Sequence, residues 1–95
     1  MDSNLQKYRA FAAAVEQGSF TKAAQVLNYT QSGVSRMISD LEREWGLVLL
    51  ERGKSGVRLT GDGRKLLPLV KNICGEHEKL LSRVNEMKGL KSGLI

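Results

Sequence analysis

The chain of 95 residues has very few of the side chains that build covalent, metal or catalytic sites. It contains one cysteine, one histidine and one proline. A single cysteine excludes a disulfide within the chain, and free thiols are typical of a reducing compartment. One cysteine and one histidine are too few to complete a structural zinc site, and no nucleophile is convincingly paired with a base. We therefore expect no metal, no cofactor, no catalytic residue and no enzymatic activity.

The chain also lacks a long apolar run and a secretory leader. No stretch approaches the roughly 20 apolar residues that a membrane-spanning helix needs, and the N-terminus is polar. Hydrophobic residues make up 41% of the sequence, which is enough to build a folded core. We expect a cytoplasmic protein without a membrane partner, made of one small domain and an appendage.

The charge of the chain is positive and unevenly placed. The formal net charge is +5, and residues 1–45 hold five basic and five acidic side chains, so the whole excess follows Trp45. A basic balance is typical of proteins that bind nucleic acid, and it is also compatible with ordinary solubility charge.

Residues 30–45, TQSGVSRMISDLEREW, have one apolar stripe at helical spacing. The opposite face presents short donors and acceptors together with guanidinium groups, which can enter a DNA groove and hydrogen-bond base edges. The exposed face of an ordinary amphipathic helix would have the same pattern, so the neighbouring segments must distinguish the two interpretations. The stripe consists of Val34, Met37, Ile38, Leu41 and Trp45.

A second short helix precedes this stretch. Gly18 fits the left-handed position that ends a first helix, and Ser19 or Thr21 can cap the next one. Thr30 can cap the following helix, and Gly46 is expected to end it. Two short helices joined by so tight a turn predict a helix-turn-helix whose recognition helix is residues 30–45.

A short apolar run at residues 47–50 and an alternating stretch at residues 57–60 follow, and the segment between them contains two glycines. This pattern predicts a two-stranded hairpin. Its tip is basic, because Arg52, Lys54 and Arg58 lie close together. In a wing such residues reach phosphates or the minor groove, whereas in an ordinary solvated turn they would contact only water.

The last helix is predicted to begin after Thr60 and to end at Gly89. Its apolar side chains alternate steps of four and three for about three heptads, and a helix of about 40 Å extends beyond so small a core. We therefore predict that it pairs with its copy in a second chain. His77 lies on this seam, where packing alone explains it and a pH-sensitive contact is the alternative. The predicted dimerisation residues are Leu66, Val70, Ile73, His77, Leu80, Val84 and Met87.

Together these segments resemble the N-terminal DNA-binding region of the LysR-type transcriptional regulators of bacteria. Residues 18–24, GSFTKAA, are similar to the second helix of that family, and residues 30–36, TQSGVSR, with Leu41 and Glu42, are similar to its recognition helix. Residues 52–63 resemble its wing and the start of its linker helix, and residues 91–95, KSGLI, resemble its hinge toward an effector-binding domain. The family often has proline at Ser32 and alanine at Gly33.

The resemblance implies a mainly α fold: a winged helix-turn-helix with a two-stranded wing and a long C-terminal dimerisation helix. Residues 1–60 would form the DNA-binding domain, 61–89 the linker helix and 90–95 the hinge. The expected function is transcription regulation by a homodimer that binds double-stranded DNA at an inverted repeat. A small-molecule effector is expected to bind only in the family's effector domain, which is absent from these 95 residues.

Two other interpretations remain open: another dimeric winged-helix regulator, such as the molybdate-responsive type, or a helical dimerisation module without specific DNA binding. If the chain is a LysR-type DNA-binding region, its recognition helix reads bases. Arg36 is the strongest candidate, because a guanidinium can bond guanine through two hydrogen bonds. The predicted DNA-binding residues are Thr30, Gln31, Ser32, Ser35, Arg36, Ser39, Arg52, Lys54, Ser55 and Arg58.

Overall fold

The computed structural model describes the backbone from Ser3 to Ser92 and the side chains from Asn4 to Gly89. Within that part of the chain, four helices and a two-stranded antiparallel sheet follow in the order predicted for a winged helix-turn-helix. The elements are α1 Ser3–Gln17, α2 Phe20–Leu27, α3 Gln31–Trp45, β1 Leu50–Gly53, β2 Gly56–Leu59 and α4 Gly61–Ser92.

The first three helices begin and end at the capping residues that the sequence predicts. Gly18 and Gly46 adopt φ angles of 67° and 68°, the left-handed conformation that glycine accepts at low cost. The Ser19 hydroxyl accepts the N–H of Lys22 at 3.2 Å and caps α2. Thr30 caps α3 through a 3.0 Å hydrogen bond to its hydroxyl. These local caps fix the short connection between α2 and α3.

The core forms where α1, α2 and α3 meet. Alanines predominate on the buried faces of α1 and α2, and small side chains let helix backbones pack closely. The predicted apolar stripe of α3 faces inward: three of its five members are buried, and Met37 and Trp45 are partly buried against the core. The buried side chains are Ala10, Phe11, Ala13, Ala14, Phe20, Ala23, Ala24, Val34, Ile38, Leu41, Leu49, Leu50 and Val70.

The first strand of the wing begins later than predicted. It was expected at residues 47–50, but β1 is Leu50–Gly53. A two-residue turn, Lys54-Ser55, joins it to β2, with Leu50 opposite Leu59 in the register. As a result Arg52 and Arg58 lie within the strands, and only Lys54 and Ser55 occupy the turn.

Residues 47–49 form no strand because other groups take their backbone hydrogen bonds. The Glu42 carboxylate accepts the N–H groups of Leu49, at 2.8 Å, and Leu50, at 3.2 Å. The Thr60 N–H donates to the Leu49 carbonyl at 3.0 Å, and the Thr60 hydroxyl donates to the Val48 carbonyl. The apolar run therefore connects α3 to the wing instead of pairing with β2.

The last helix continues past its predicted end at Gly89 and reaches Ser92. A glycine inside a helix costs only about 1 kcal/mol, and neither Gly75 nor Gly89 adopts the positive φ angle of a helix cap. The predicted hinge at residues 90–95 therefore overlaps α4 at 90–92, and its last three residues lie outside the described residues. In the region described, no helix is long and apolar enough to cross a membrane.

The N-terminal half of α4 packs against the domain. Leu66, Leu67 and Cys74 are partly buried against the core, and Lys71 pairs with Glu16 of α1 at 3.7 Å. Val70 is only 3% exposed and belongs to this core. Its own chain therefore already covers Val70, and its predicted place on a dimer seam stays a prediction.

Candidate nucleic-acid interface

The outward face of α3 is set by the face that the core buries. Because Val34, Ile38 and Leu41 are buried on one side, the polar residues at intermediate helical positions point away from the core. Gln31, Ser32 and Arg36 are exposed, and Ser35 and Ser39 are half-buried. The structure thus brings the five predicted base-contacting residues together on one face of α3.

The first turn of α3 is organised by Thr30. Its hydroxyl lies 3.0 Å from the Gly33 nitrogen and 3.4 Å from the Ser32 hydroxyl. A Cβ atom at Gly33 would lie 3.0 Å from the Thr30 hydroxyl, so the glycine leaves room for the cap. The helix N-terminus that this cap completes favours an anion such as a phosphate.

The two arginines of α3 differ in whether their guanidinium groups are paired. Arg43 pairs with Asp40 at 3.1 Å on the outer surface. Arg36 is exposed, and its guanidinium has no hydrogen-bond or ion-pair partner among the residues that the structure describes. Arg36 therefore presents an unused planar donor group in the middle of the polar face.

The turn of the wing projects two of the predicted residues into solvent. Lys54 and Ser55 are exposed at the tip, and Arg58 is exposed on β2 opposite Glu51 of β1. Cross-strand charges of opposite sign attract one another, so Glu51 partly offsets Arg58. Lys54 has no such neighbour across the register, and it is the residue of the wing best placed for a phosphate.

The tip end of the wing, directly after its turn, is fixed to the turn between α1 and α2. The Val57 N–H donates to the Gly18 carbonyl at 3.2 Å. Gly56 adopts a φ angle of 118°, and a Cβ atom there would lie 2.5 Å from the Gly18 oxygen. Only glycine fits this approach, so the wing is held in a defined position beside the helix-turn-helix.

Arg52 is directed toward the helices. Its guanidinium carbon lies 4.4 Å from the centre of the Phe20 ring, and its Nη2 donates to the Ser35 hydroxyl at 2.5 Å. Two residues predicted separately as DNA contacts, Arg52 and Ser35, are therefore in contact with each other. The contacts of Phe20 and Glu42 were not predicted from the sequence, because neither residue lies in a local pattern that indicates its partner.

The thiol of Cys74 and the imidazole of His77 lie one turn apart on α4. Burial raises the pKa of the Cys74 thiol, and the nearby positive charge of Arg9 lowers it to a smaller extent. The thiol lines a groove between α1, α2 and α4 together with Val26 and Leu27. Within the described residues, no three histidine, cysteine, aspartate or glutamate side chains are grouped as metal ligands.

Along most of its length α4 leaves large apolar side chains uncovered. They follow the predicted heptad seam beyond Val70, and two further leucines, Leu69 and Leu81, widen the surface. Leu66 is partly buried against its own core and His77 is half-buried. The dimer seam stays a prediction, and four of its residues, Ile73, Leu80, Val84 and Met87, are 48%, 59%, 39% and 52% exposed.

Comparison with known proteins gives consistent matches over the whole fold. The chain is 42% identical over 95% of its length to a probable transcriptional regulator, LrrA, of Synechococcus elongatus. Its structure resembles the BenM DNA-binding domain crystallised with catB site 1 DNA, with a TM-score of 0.80 and 35% identity over 93% of this chain and 97% of that one. Oxidised OxyR of Corynebacterium glutamicum gives a TM-score of 0.86 at 31% identity, over 94% of this chain and 27% of that one.

The chain is much shorter than the curated relatives that it matches. It spans 31% of the length of LrrA and 29% of the length of YtlI, a transcriptional regulator of Bacillus subtilis. The family model for the bacterial regulatory helix-turn-helix proteins of the lysR family matches residues 5–64, which contain α2, α3, the wing and almost all of α1. The chain therefore belongs to the lysR family of bacterial regulatory helix-turn-helix proteins.

Proposed function

We propose that the chain binds double-stranded DNA in a sequence-specific manner, as the DNA-binding part of a LysR-type transcriptional regulator. The observation that carries the proposal is the polar face of α3, which the core turns outward beside a wing with a basic tip. Solved complexes of the related BenM and CbnR DNA-binding domains with DNA support it. Binding to a bacterial chromosome also requires the cytoplasmic location predicted from the sequence.

In this proposal α3 lies in the major groove, where each base pair presents a distinct pattern of donors and acceptors. Arg36 is the principal base-reading group, because its guanidinium is exposed and unpaired within the described residues. Thr30 and the N-terminus of α3 lie against a phosphate. The remaining candidates for base and nearby phosphate contacts on α3 are Gln31, Ser32, Ser35 and Ser39.

The wing supplies contacts that hold the flanking backbone. Lys54, Ser55 and Arg58 are exposed at its tip and along β2. Contacts to phosphates fix register and orientation without reading sequence. Because Val57, near the turn of the wing, is bonded to Gly18, these residues have a defined position beside the helix-turn-helix, and the two parts can contact one duplex together.

A homodimer completes the proposal. Large apolar side chains of α4 are exposed, and soluble monomers rarely display an extended apolar surface. Pairing of α4 with its copy would cover them and relate two α3 helices by a two-fold axis. The matching DNA site is an inverted repeat whose half-sites are separated by about one helical turn or a multiple of it.

Selection from a pool of random duplexes tests the proposed function. The chain is incubated with the pool at low salt, bound duplexes are recovered, and enriched sequences are read after several rounds. We expect one enriched inverted repeat, bound more tightly than random duplex and with an affinity that falls steeply as salt rises. Binding that enriches no sequence, or no binding at low salt, would contradict the proposal and favour a dimerisation module.

A further inference from the structure

Three elements converge on the Arg52 side chain. It extends from β1, stacks on the ring of Phe20 at the start of α2, and donates a hydrogen bond to the Ser35 hydroxyl in the middle of α3. No carboxylate within the described residues pairs with it, so its charge is held by a ring and a hydroxyl and is not neutralised. An arginine with only a structural role would be stabilised more by a carboxylate than by a hydroxyl, because hydrogen bonds between two charged groups are stronger.

We infer that Phe20 and Arg52 are positioning residues that orient the Ser35 hydroxyl to donate its hydrogen to an acceptor on a base edge. The inference rests on the proposed function and identifies a determinant of its specificity. A hydroxyl can donate one hydrogen bond and accept two. Donation from Arg52 occupies one acceptor position of the oxygen, and the adjacent positive charge favours the hydroxyl as a donor.

The base that such a hydroxyl prefers is one with acceptors at the major-groove edge. Guanine presents N7 and O6, adenine presents N7 and thymine presents O4, whereas the exocyclic amino group of cytosine is a donor. Ser35 is half-buried on the outward side of α3, beside the exposed Arg36. The pair formed by Arg52 and Ser35 therefore favours a guanine, adenine or thymine over a cytosine where Ser35 meets the DNA.

Phe20 contributes without touching the DNA. Phe20 is 6% exposed and belongs to the core, so it influences base preference without touching DNA, and its contact with Arg52 gives it a path to Ser35. The ring face attracts a cation, and a planar guanidinium can stack on it in one orientation. A lysine ammonium has no such plane, so it would keep the charge and lose the orientation.

The experiment compares Phe20→Leu with Phe11→Leu on the DNA site obtained by selection. Both variants remove a buried ring, but only Phe20 contacts Arg52. The base pair read by Ser35 is first located with Ser35→Ala. We expect Phe20→Leu to reduce discrimination at that same base pair by roughly two- to tenfold, the range of one hydrogen bond. Phe11→Leu should keep the discrimination, and equal losses in both variants would overturn the inference.

Two further measurements separate orientation from charge and from folding. Phe20→Leu retains every charge, so its affinity for random duplex and its salt dependence should match the wild type. Arg52→Lys, at an exposed position, should show the same loss of discrimination as Phe20→Leu. In the free protein, the NMR signal of the Arg52 side-chain N–H should move away from its ring-shifted position in Phe20→Leu. An unchanged signal would contradict the stacking on which the inference depends.

A double variant tests whether the three residues act as one unit. Phe20→Leu combined with Ser35→Ala should discriminate no worse than Ser35→Ala alone, whereas additive losses would overturn the inference. If the wild type selects a sequence and Phe20→Leu selects it as sharply, the inference fails and the proposed function stands. If the wild type selects no sequence, the proposed function fails and takes the inference with it.

Discussion

Two arginines on one helix show how the surroundings of a residue decide its role. Arg43 is paired with Asp40, while Arg36 points outward with no partner in the described part of the chain. We expect Arg36→Ala to cost about 1–3 kcal/mol on the selected site and clearly less on random duplex, because a base contact carries sequence information. Arg43→Ala is the matched control and should change both affinities little. Titrations followed by fluorescence anisotropy measure both, and equal losses of Arg36→Ala on both duplexes would make it a phosphate contact.

Residues that act on their immediate neighbours can be predicted from the sequence, and residues that act across the fold cannot. Ser19, Thr30 and Gly46 were predicted as helix ends because a cap bonds groups within three or four residues of it. The partner of Arg52 on α3 is 17 residues away in the sequence. Their contact exists only because the core fixes the angle between α3 and the wing, and no periodicity encodes that angle.

At the scale of elements, the wing is anchored by a side chain of the recognition helix. The Glu42 carboxylate accepts two backbone N–H groups at the start of β1, which explains why residues 47–49 do not form the strand that their apolar run predicted. We expect Glu42→Ala to lower the free energy of unfolding by about 1.5 kcal/mol, near the low end for bonds to a charged group because the site is only partly buried. Thermal and urea denaturation measure the loss.

The matched control for this change is Glu76→Ala. Glu76 forms an exposed pair with Lys79 on α4, and such surface pairs contribute well under 1 kcal/mol. The control should leave the unfolding midpoint nearly unchanged. If Glu42→Ala left the midpoint equally unchanged, the wing would owe its position to its other contacts, among them the hydrogen bonds of Thr60, Val57 and Arg52.

For the tip of the wing, the prediction concerns the charge that binds DNA and not the stability of the fold. Lys54 is exposed in the turn, away from the core. We expect Lys54→Ala to weaken binding to all duplexes alike and to reduce the slope of log affinity against log salt by about one. Lys79→Ala on α4 is the charge-matched control. A salt titration in which Lys54→Ala keeps the wild-type slope would mean that the wing does not reach the DNA backbone.

The shape of the whole molecule follows from a helix that is longer than the domain it packs on. The molecule measures 55 × 24 × 22 Å, and α4 accounts for its long axis because 32 residues extend for about 48 Å. Heptad spacing predicted this length and the existence of an apolar seam. It could not predict that α1 would cover Val70 and leave Ile73 exposed, since that division depends on where along α4 the small core ends.

The exposed part of the seam should determine whether the chain is a monomer or a dimer. We expect Ile73→Glu combined with Leu80→Glu to give monomers in sedimentation experiments, because two like charges on each copy would have to be buried in the apolar interface. Neither residue belongs to the core, so the monomers should keep the wild-type helix content. Asn72→Glu with Ser82→Glu places the same charges at exposed polar positions of α4 and should leave the dimer intact.

On DNA, the monomers should bind a single half-site as the wild type does and lose most of the gain from a second one, since two linked heads bind more tightly than one. A dimer that persists would move the interface to another face, with α3 spacing and half-site separation changed accordingly.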